Sequence, residues 1–267
     1  VDPIKTPQWA SLVMGLAAVW PVAPADIKTV TALGGYAMTA VTAVTVQNTL
    51  GVSAVHDIPV DTVAGQITAV LGDIGADVIK TGMLSSVAII EAAARAITAS
   101  GADIPRVVDP VMRAKGGHAL LADAATQALI ALMIRDAAVI TPNLPEAEAL
   151  TGRRIATAED MLGAVDALRG LGARAVLLKG GHLPGDRLLD LLITPNDVVR
   201  FEGDRIASTS THGTGCTLAS AVATFLSLGR RLPDAVAGAR DYVRQAIARA
   251  PGFGQGHGPL NHGFSLH

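Results

Sequence analysis

Short aliphatic runs alternate along this chain with stretches whose apolar residues recur at helical spacing. The runs Ala40–Val46, Val78–Thr81, Arg106–Asp109, Ala138–Ile140 and Ala175–Lys179 read as strands, with helical patterns between them. Thr157 and Asp160 form a capping box ahead of apolar Leu162, Val165 and Leu168, with Gly172 as the stop. Near the end, Val236, Ala239, Val243 and Ile247 line one helical face. Two runs, Leu188–Thr194 and Asp197–Phe201, are separated by Pro195-Asn196 and predict an antiparallel hairpin at a sheet edge. Strands alternating with helices predict βαβ units, hence an α/β fold around a mostly parallel sheet. In such sheets ligands sit beyond the carboxyl ends of the strands, so those ends are where chemistry is sought.

Composition narrows the class. No Ser/Gly linker, charge block or repeat divides the 267 residues, which are read as one domain. Half of the residues are hydrophobic but only 3% are aromatic, so the core must be built from Ala, Val, Leu and Ile. A formal charge of −2 without a basic block argues against a nucleic-acid partner. The single cysteine, Cys216, excludes an intrachain disulfide framework and a multi-cysteine metal site, and favours a reducing compartment. Trp9 to Ala25 imitates the apolar region and small-residue cleavage site of a signal peptide. It is shorter than the roughly 20 residues of a membrane span and contains Pro21 and Pro24. The expected location is the cytoplasm, with no membrane partner.

Four segments at strand ends carry candidate chemistry. Thr211-His212-Gly213-Thr214-Gly215-Cys216 precedes the apolar pattern Leu218, Ala221, Val222, Phe225. Two glycines allow a tight turn, and the following helix would aim its free N–H groups at an anion. Cys216 falls in the first turn, where the helix field favours a thiolate; a glycine-rich turn with a buried structural cysteine is an equal reading. Asp109, at the end of Val107-Val108, is costly to bury unless paired or bound to a cation, although it could also cap the following turn. Thr141-Pro142-Asn143-Leu144-Pro145-Glu146 is a good helix start in its own right, and it delivers a second carboxylate to the same sheet edge. Lys179, before Gly180-Gly181, is either a point charge for phosphate or a lysine snorkelling out of its strand. The GxxxxGK[ST] loop, GxGxxG after a first strand, HExxH and GxSxG are all absent. A glycine-rich helix terminus, two carboxylates and a lysine together point to phosphoryl transfer.

These segments, together with Asp26-Ile-Lys-Thr, Gly34 to Val52, Lys80-Thr-Gly-Met83-Leu and Gly256-His-Gly-Pro-Leu-Asn-His262, resemble the hydroxymethylpyrimidine/phosphomethylpyrimidine kinase family of the ribokinase-like fold. They run in the family's order from about residue 26 to 262. The resemblance implies a three-layer α/β/α sandwich and ATP- and Mg²⁺-dependent phosphorylation of 4-amino-5-hydroxymethyl-2-methylpyrimidine, then of its monophosphate, in thiamine biosynthesis. It also implies a homodimer. Carried over residue by residue, Gln47 would read the pyrimidine's ring nitrogen and amino group, Met83 and Val111 would wall the ring, and Asp26 would border the substrate pocket. Asp109 and Glu146 would be the Mg²⁺-side carboxylates. Lys179, Asn143 and Thr211 would contact ATP, and Gly213, Thr214, Gly215 and Cys216 would form the catalytic anion hole, with Cys216 where related enzymes place an aspartate base. Residues 1–25 depart from the pattern: Leu16 to Ala25 stand where the family carries a Gly-Ser-Asp and glycine-rich loop. Ala, Val and Pro codons of a GC-rich gene become Gly and Ala codons when shifted by one base, so an altered start is expected. Two alternatives remain open: a pyridoxal kinase of the similar cysteine-containing type, and a non-catalytic homologue.

Overall fold

The computed structural model describes residues 10–14, 17–18, 22–101, 103–112 and 123–265. Of the segment Leu16 to Ala25, where an altered sequence is expected, positions 16 and 19–21 lie outside the described residues. Eight strands form the central sheet. From one edge to the other they are β11 (Val198–Asp204), β10 (Arg187–Ile193), β9 (Val176–Lys179), β8 (Val139–Ile140), β7 (Arg106–Val108), β6 (Val78–Thr81), β1 (Ala10–Met14) and β3 (Tyr36–Ala40). Six run parallel, while β10 is antiparallel to both β9 and β11, giving the expected edge hairpin.

Side-chain alternation explains why helices cover both faces. In each central strand neighbouring residues go to opposite sides. Val78, Val107, Val139 and Leu177 pack with α8 (Thr214–Ser227) and α9 (Leu232–Ala248). Ile79, Val108, Ile140 and Leu178 pack on the other side with α2 (Val60–Asp73), α3 (Val87–Ala99), α4 (Asp123–Leu129) and α5 (Leu144–Thr151). A π-helical turn, Ile130–Ile134, continues α4. The result is the three-layer sandwich expected from the sequence. Among the described residues no helix is long and apolar enough to cross a membrane.

Three expectations need correction. The run Ala40–Val46 is not one strand: β3 ends at Ala40, and β4 (Ala43–Asn48) belongs to a separate three-stranded sheet with β2 (Ala17–Ala18) and β5 (Gly51–Asp57). The chain leaves the main sheet at Val41, whose N–H and C=O are both taken by the Gln66 amide at 2.9 Å. The helix begun by Thr157 and Asp160 has its capping box but breaks into α6 (Ala158–Gly163) and α7 (Val165–Arg169). Gly163 is a weak helix former, and Ala164 there takes ψ −6°. The buried face of α9 runs through Ala235, Ala239, Tyr242 and Ala246, so Val243 and Ile247 stand at its margin. Its N-terminal anchor Val236 is buried as expected.

Candidate active site

Parallel β7, β8 and β9 deliver Asp109, Thr141–Asn143 and Lys179 to one edge of the sheet. Lys179 Nζ and Thr141 Oγ1 each donate to Asp109 Oδ1 at 3.0 Å. Lys179 therefore turns inward, its side chain only 13% exposed, and does not snorkel. Among the described residues, no backbone N–H of the following turn donates to the Asp109 carboxylate. Burial acts against its charge, but Lys179 and Lys80 outweigh that and hold its carboxyl below the usual range. The same opposition keeps the Lys179 ammonium above its ordinary value, because Asp109 and Glu146 overcome the cost of burial.

Asn143 is the N-cap of α5. Its Oδ1 accepts from Glu146 N at 2.9 Å, and Glu146 Oε2 accepts from Asn143 N at 2.8 Å. Glu146 thus completes a capping box while its charge is felt by Lys179 and Asp109. Burial pushes Glu146 up to about 7, the Asp109 charge adding to it and Lys179 opposing it. Asn143 also bridges to Lys179 through the backbone, with Lys179 N donating to Pro142 O at 2.9 Å.

The N-terminus of α8 closes this site from above. Gly213 is its N-cap at φ 81°, a left-handed conformation that suits glycine and turns the chain into the helix. Thr214 Oγ1 donates to Thr211 O at 3.2 Å, closing the loop on itself. A β-carbon on Gly215 would lie 3.3 Å from Lys179 Nζ and 3.8 Å from Asp109 Oδ2. The helix terminus and the ion pair therefore face one another with no side chain between them. Free N–H groups and a lysine on one spot are the chemistry that suits an anion.

A model of the phosphomethylpyrimidine kinase family matches residues 23–261. The chain belongs to this family. Membership makes the protein a phosphotransferase of thiamine biosynthesis, as the motifs implied. The hydroxymethylpyrimidine/phosphomethylpyrimidine kinase of Streptomyces coelicolor is 44% identical over 91% of this chain and 89% of its own length. The thiamine biosynthesis bifunctional protein ThiED of Geobacter sulfurreducens is 49% identical over 89% of this chain, which spans only 48% of that protein. Among solved structures, an ADP complex of Bacillus subtilis pyridoxal kinase superposes with TM-score 0.86 at 33% identity, over 95% of this chain and 97% of that one.

The surroundings of two expected site residues, Cys216 and Asp26, decide their charge state and exposure. Cys216 is not poised as a thiolate. Burial pushes its thiol up to about 12, with Asp26 and Asp109 adding and Lys80 and Lys179 opposing. Desolvation and the two carboxylates outweigh the two lysines. Asp26, in α1 (Val22–Ala32) and expected to border the substrate pocket, is fully buried. Lys80 Nζ reaches its two oxygens at 3.0 and 3.1 Å, and Ser220 Oγ donates to Oδ1 at 2.6 Å. Burial works against the Lys80 charge, but Asp26, Cys216 and Asp109 keep its ammonium protonated above its ordinary value. Sequence reasoning assigned no role to Lys80 or Ser220. The signal was present, since a lysine within the buried run Val78–Thr81 must find a counter-charge.

Met83, Val111 and Gln47, expected beside the ring, come from two strand ends and the small sheet. Met83 and Val111 follow β6 and β7, which are neighbours. Thr42 Oγ1 donates to Met83 O at 2.9 Å and ties the start of β4 to that edge. Gln47 lies just past a register shift between Val46 and Gln47, a bulge that re-aims the side chain. One of its amide N–H groups donates to Thr45 Oγ1 at 2.7 Å.

Proposed function

We propose that the kinase transfers the γ-phosphoryl group of ATP to the hydroxymethyl group of 4-amino-5-hydroxymethyl-2-methylpyrimidine, and then to the resulting monophosphate. The observation that supports this most is the α8 terminus facing the Lys179–Asp109 pair across Gly215. Phosphoryl transfer is mainly positioning and charge neutralisation, and this arrangement supplies both. The backbone N–H groups of Thr214 to Cys216 and the Gly213 turn would hold the transferring group, while Lys179 offers a point charge to the ATP phosphates. Asn143 and Thr211 border the same phosphates. The ADP complex of the pyridoxal kinase supports nucleotide use.

Asp109 and Glu146 suit Mg²⁺. Both are hard oxygen donors, and the pair carries one more acidic group than Lys179 neutralises, which leaves Glu146 raised to about 7. Mg²⁺ bound there would neutralise charge on the phosphates. At the pyrimidine end, the second N–H and the carbonyl oxygen of Gln47 match the donor–acceptor edge of an aminopyrimidine, with Met83 and Val111 as apolar walls. Asp26 would act from beneath, through Lys80, and not by touching substrate. A homodimer is part of the reading, supported by Val46, Leu50 and Val55 standing exposed on the β4–β5 hairpin.

Phosphorylation of pyridoxal is the second reading, favoured by the TM-score of 0.86 with a pyridoxal kinase. Initial rates of ADP release by pure protein, with each compound in turn, separate the two. The pyrimidine should show kcat/KM at least about tenfold higher. A preference for pyridoxal would replace the substrate, and no ATP consumption with either would leave a non-catalytic homologue.

A further inference from the structure

The carboxyl-terminal segment 253–262 follows α9 and belongs to no helix or strand, yet it touches two distant parts of the site. His257 N donates to Thr49 O at 2.8 Å, and Gly256 N donates to Thr49 Oγ1 at 3.3 Å. Thr49 is the turn of the β4–β5 hairpin, two residues from Gln47. The next residue along, Gly258, accepts from His212 N at 3.0 Å, and Pro259 bridges His212. His212 precedes Gly213, the turn into α8. Successive Cα atoms are about 3.8 Å apart, so a single dipeptide, His257-Gly258, joins the hairpin to the anion loop with no slack.

The contact surfaces are backbone against backbone. A β-carbon on Gly256 would collide with Thr49 O and lie 2.8 Å from Thr49 C and 3.2 Å from Leu50 Cα. On Gly258 it would lie 2.8 Å from Ser210 Oγ. The space beside Gly256 is thus taken by the hairpin, and that beside Gly258 by Ser210 of the loop leading into the cradle together with Phe253 O of the segment itself. The far end is fixed as well. His262 Nε2 shares a 2.9 Å hydrogen bond with Thr217 Oγ1 of α8, Tyr242 OH donates to His262 O at 2.6 Å, and Asn261 N donates to Ala246 O at 3.0 Å.

We propose that residues 256–258 form a positioning tie that sets the separation between the ring-reading hairpin and the phosphoryl cradle. The assignment of those two ends rests on the proposed function. An acceptor hydroxyl must be held against the phosphoryl group within a few tenths of an ångström, and misplacement by about 1 Å costs on the order of a hundredfold in rate. Rigid connection through Gly256 to Gly258 supplies that precision from outside both binding surfaces.

Gly256→Ala tests the tie, because Gly256 is not in the left-handed region and the atoms nearest the added methyl belong to Thr49 and Leu50. Two readouts are needed. Amide hydrogen exchange in the intact protein should quicken together in residues 48–52 and 212–216, with the core strands unchanged. Steady-state kinetics should show kcat/KM for the pyrimidine falling about ten- to a hundredfold, with ADP affinity within about twofold. Faster exchange in the hairpin alone, or equal losses for pyrimidine and ADP, would overturn the tie. Thr49→Ala is the milder companion should Gly256→Ala fold poorly. It removes the Oγ1 acceptor and should give a smaller effect in the same two segments, and no effect in residues 212–216 would count against the proposal. Exchange needs no substrate, so failure of the pyrimidine assay in the unaltered protein would refute the proposed function while leaving the tie decidable.

Discussion

Cys216 sits beside two lysines and a helix terminus, yet desolvation in its half-buried position, with Asp26 and Asp109 nearby, pushes its thiol up to about 12. At neutral pH it is a thiol, and what it offers a phosphate is its backbone N–H. Cys216→Ala keeps that N–H, so kcat should fall less than about tenfold, below the 10²–10⁴ worth of a general base. The pH profile of kcat between 6 and 9 should keep its shape. A thousandfold drop with intact folding and ATP binding would instead make the cysteine the base. Gly215→Val should cost more, about a hundredfold, because its side chain would stand where Lys179 and Asp109 meet the helix terminus. Asp109→Asn removes a partner that Lys179 needs as much as ATP does. Turnover should fall far more than KM rises, and unfolding free energy should drop by about 3 kcal/mol, since Lys179 loses its contact carboxylate in a nearly buried setting. Unchanged turnover would reduce Asp109 to a structural role.

Between elements, one buried ion pair holds α1, β6 and α8 in register. Asp26, Lys80 and Ser220 each belong to a different element, and both charged side chains are fully buried. Breaking such a pair from one side leaves an uncompensated charge and costs about 3–5 kcal/mol, whereas replacing both partners by apolar groups of similar size costs far less. Denaturant unfolding of Asp26→Leu should therefore show a larger loss than the double change Asp26→Leu with Lys80→Met. Equal losses would mean that the pair is not the tie between these elements. Because Ser220 lies one turn below Cys216 on α8, the double change should still lower kcat by displacing the helix terminus. Local caps act at the same scale but on smaller stakes. Asn143 and Thr157 each start a helix with a reciprocal capping box, worth about 1 kcal/mol.

Across the whole molecule, two buried groups give stability opposing pH slopes. Burial lowers His262 from 6.5 to about 4, the Lys28 charge adding to the effect. Between those values the unfolded chain binds a proton that the folded chain refuses, so this contribution is full above pH 6.5 and lost as pH falls to 4. Glu146, raised from 4.5 to about 7, is protonated in the fold over a window in which the unfolded chain has released its proton. Its contribution is lost as pH rises from 4.5 to 7. Each shift is worth on the order of 3 kcal/mol, so the two nearly cancel between pH 4.5 and 6.5. His262→Gln removes one of them. Its unfolding free energy relative to the unaltered protein, read from urea midpoints, should improve by about 3 kcal/mol between pH 7 and pH 4.5. A constant difference across that range would mean that His262 is not held neutral by burial.

The elements and the inventory of chemistry were legible in the residues themselves. Strand runs such as Val78–Thr81 are written by aliphatic side chains that must go to both faces of a sheet, and the helix starts at Asn143 and Thr157 are written within four residues by groups that satisfy each other's backbone. Placing Asp109 and Lys179 at strand ends followed from that pattern alone, whereas Glu146 and Gly213–Cys216 stand in the first turns of helices. What those groups do to one another was not legible. Asp26 meets Lys80 across 54 residues and Ser220 across 194, and residues 256–258 join Thr49 to His212 from the far end of the chain. The charge state of Cys216 is the clearest case. Its position on a helix is a local fact, but desolvation and the sum of four neighbouring charges depend on what the fold packs around it. Hydrogen bonding and periodicity act over a few residues and can be read along the chain, whereas dielectric surroundings and Coulomb interactions act through space and exist only once the chain has folded.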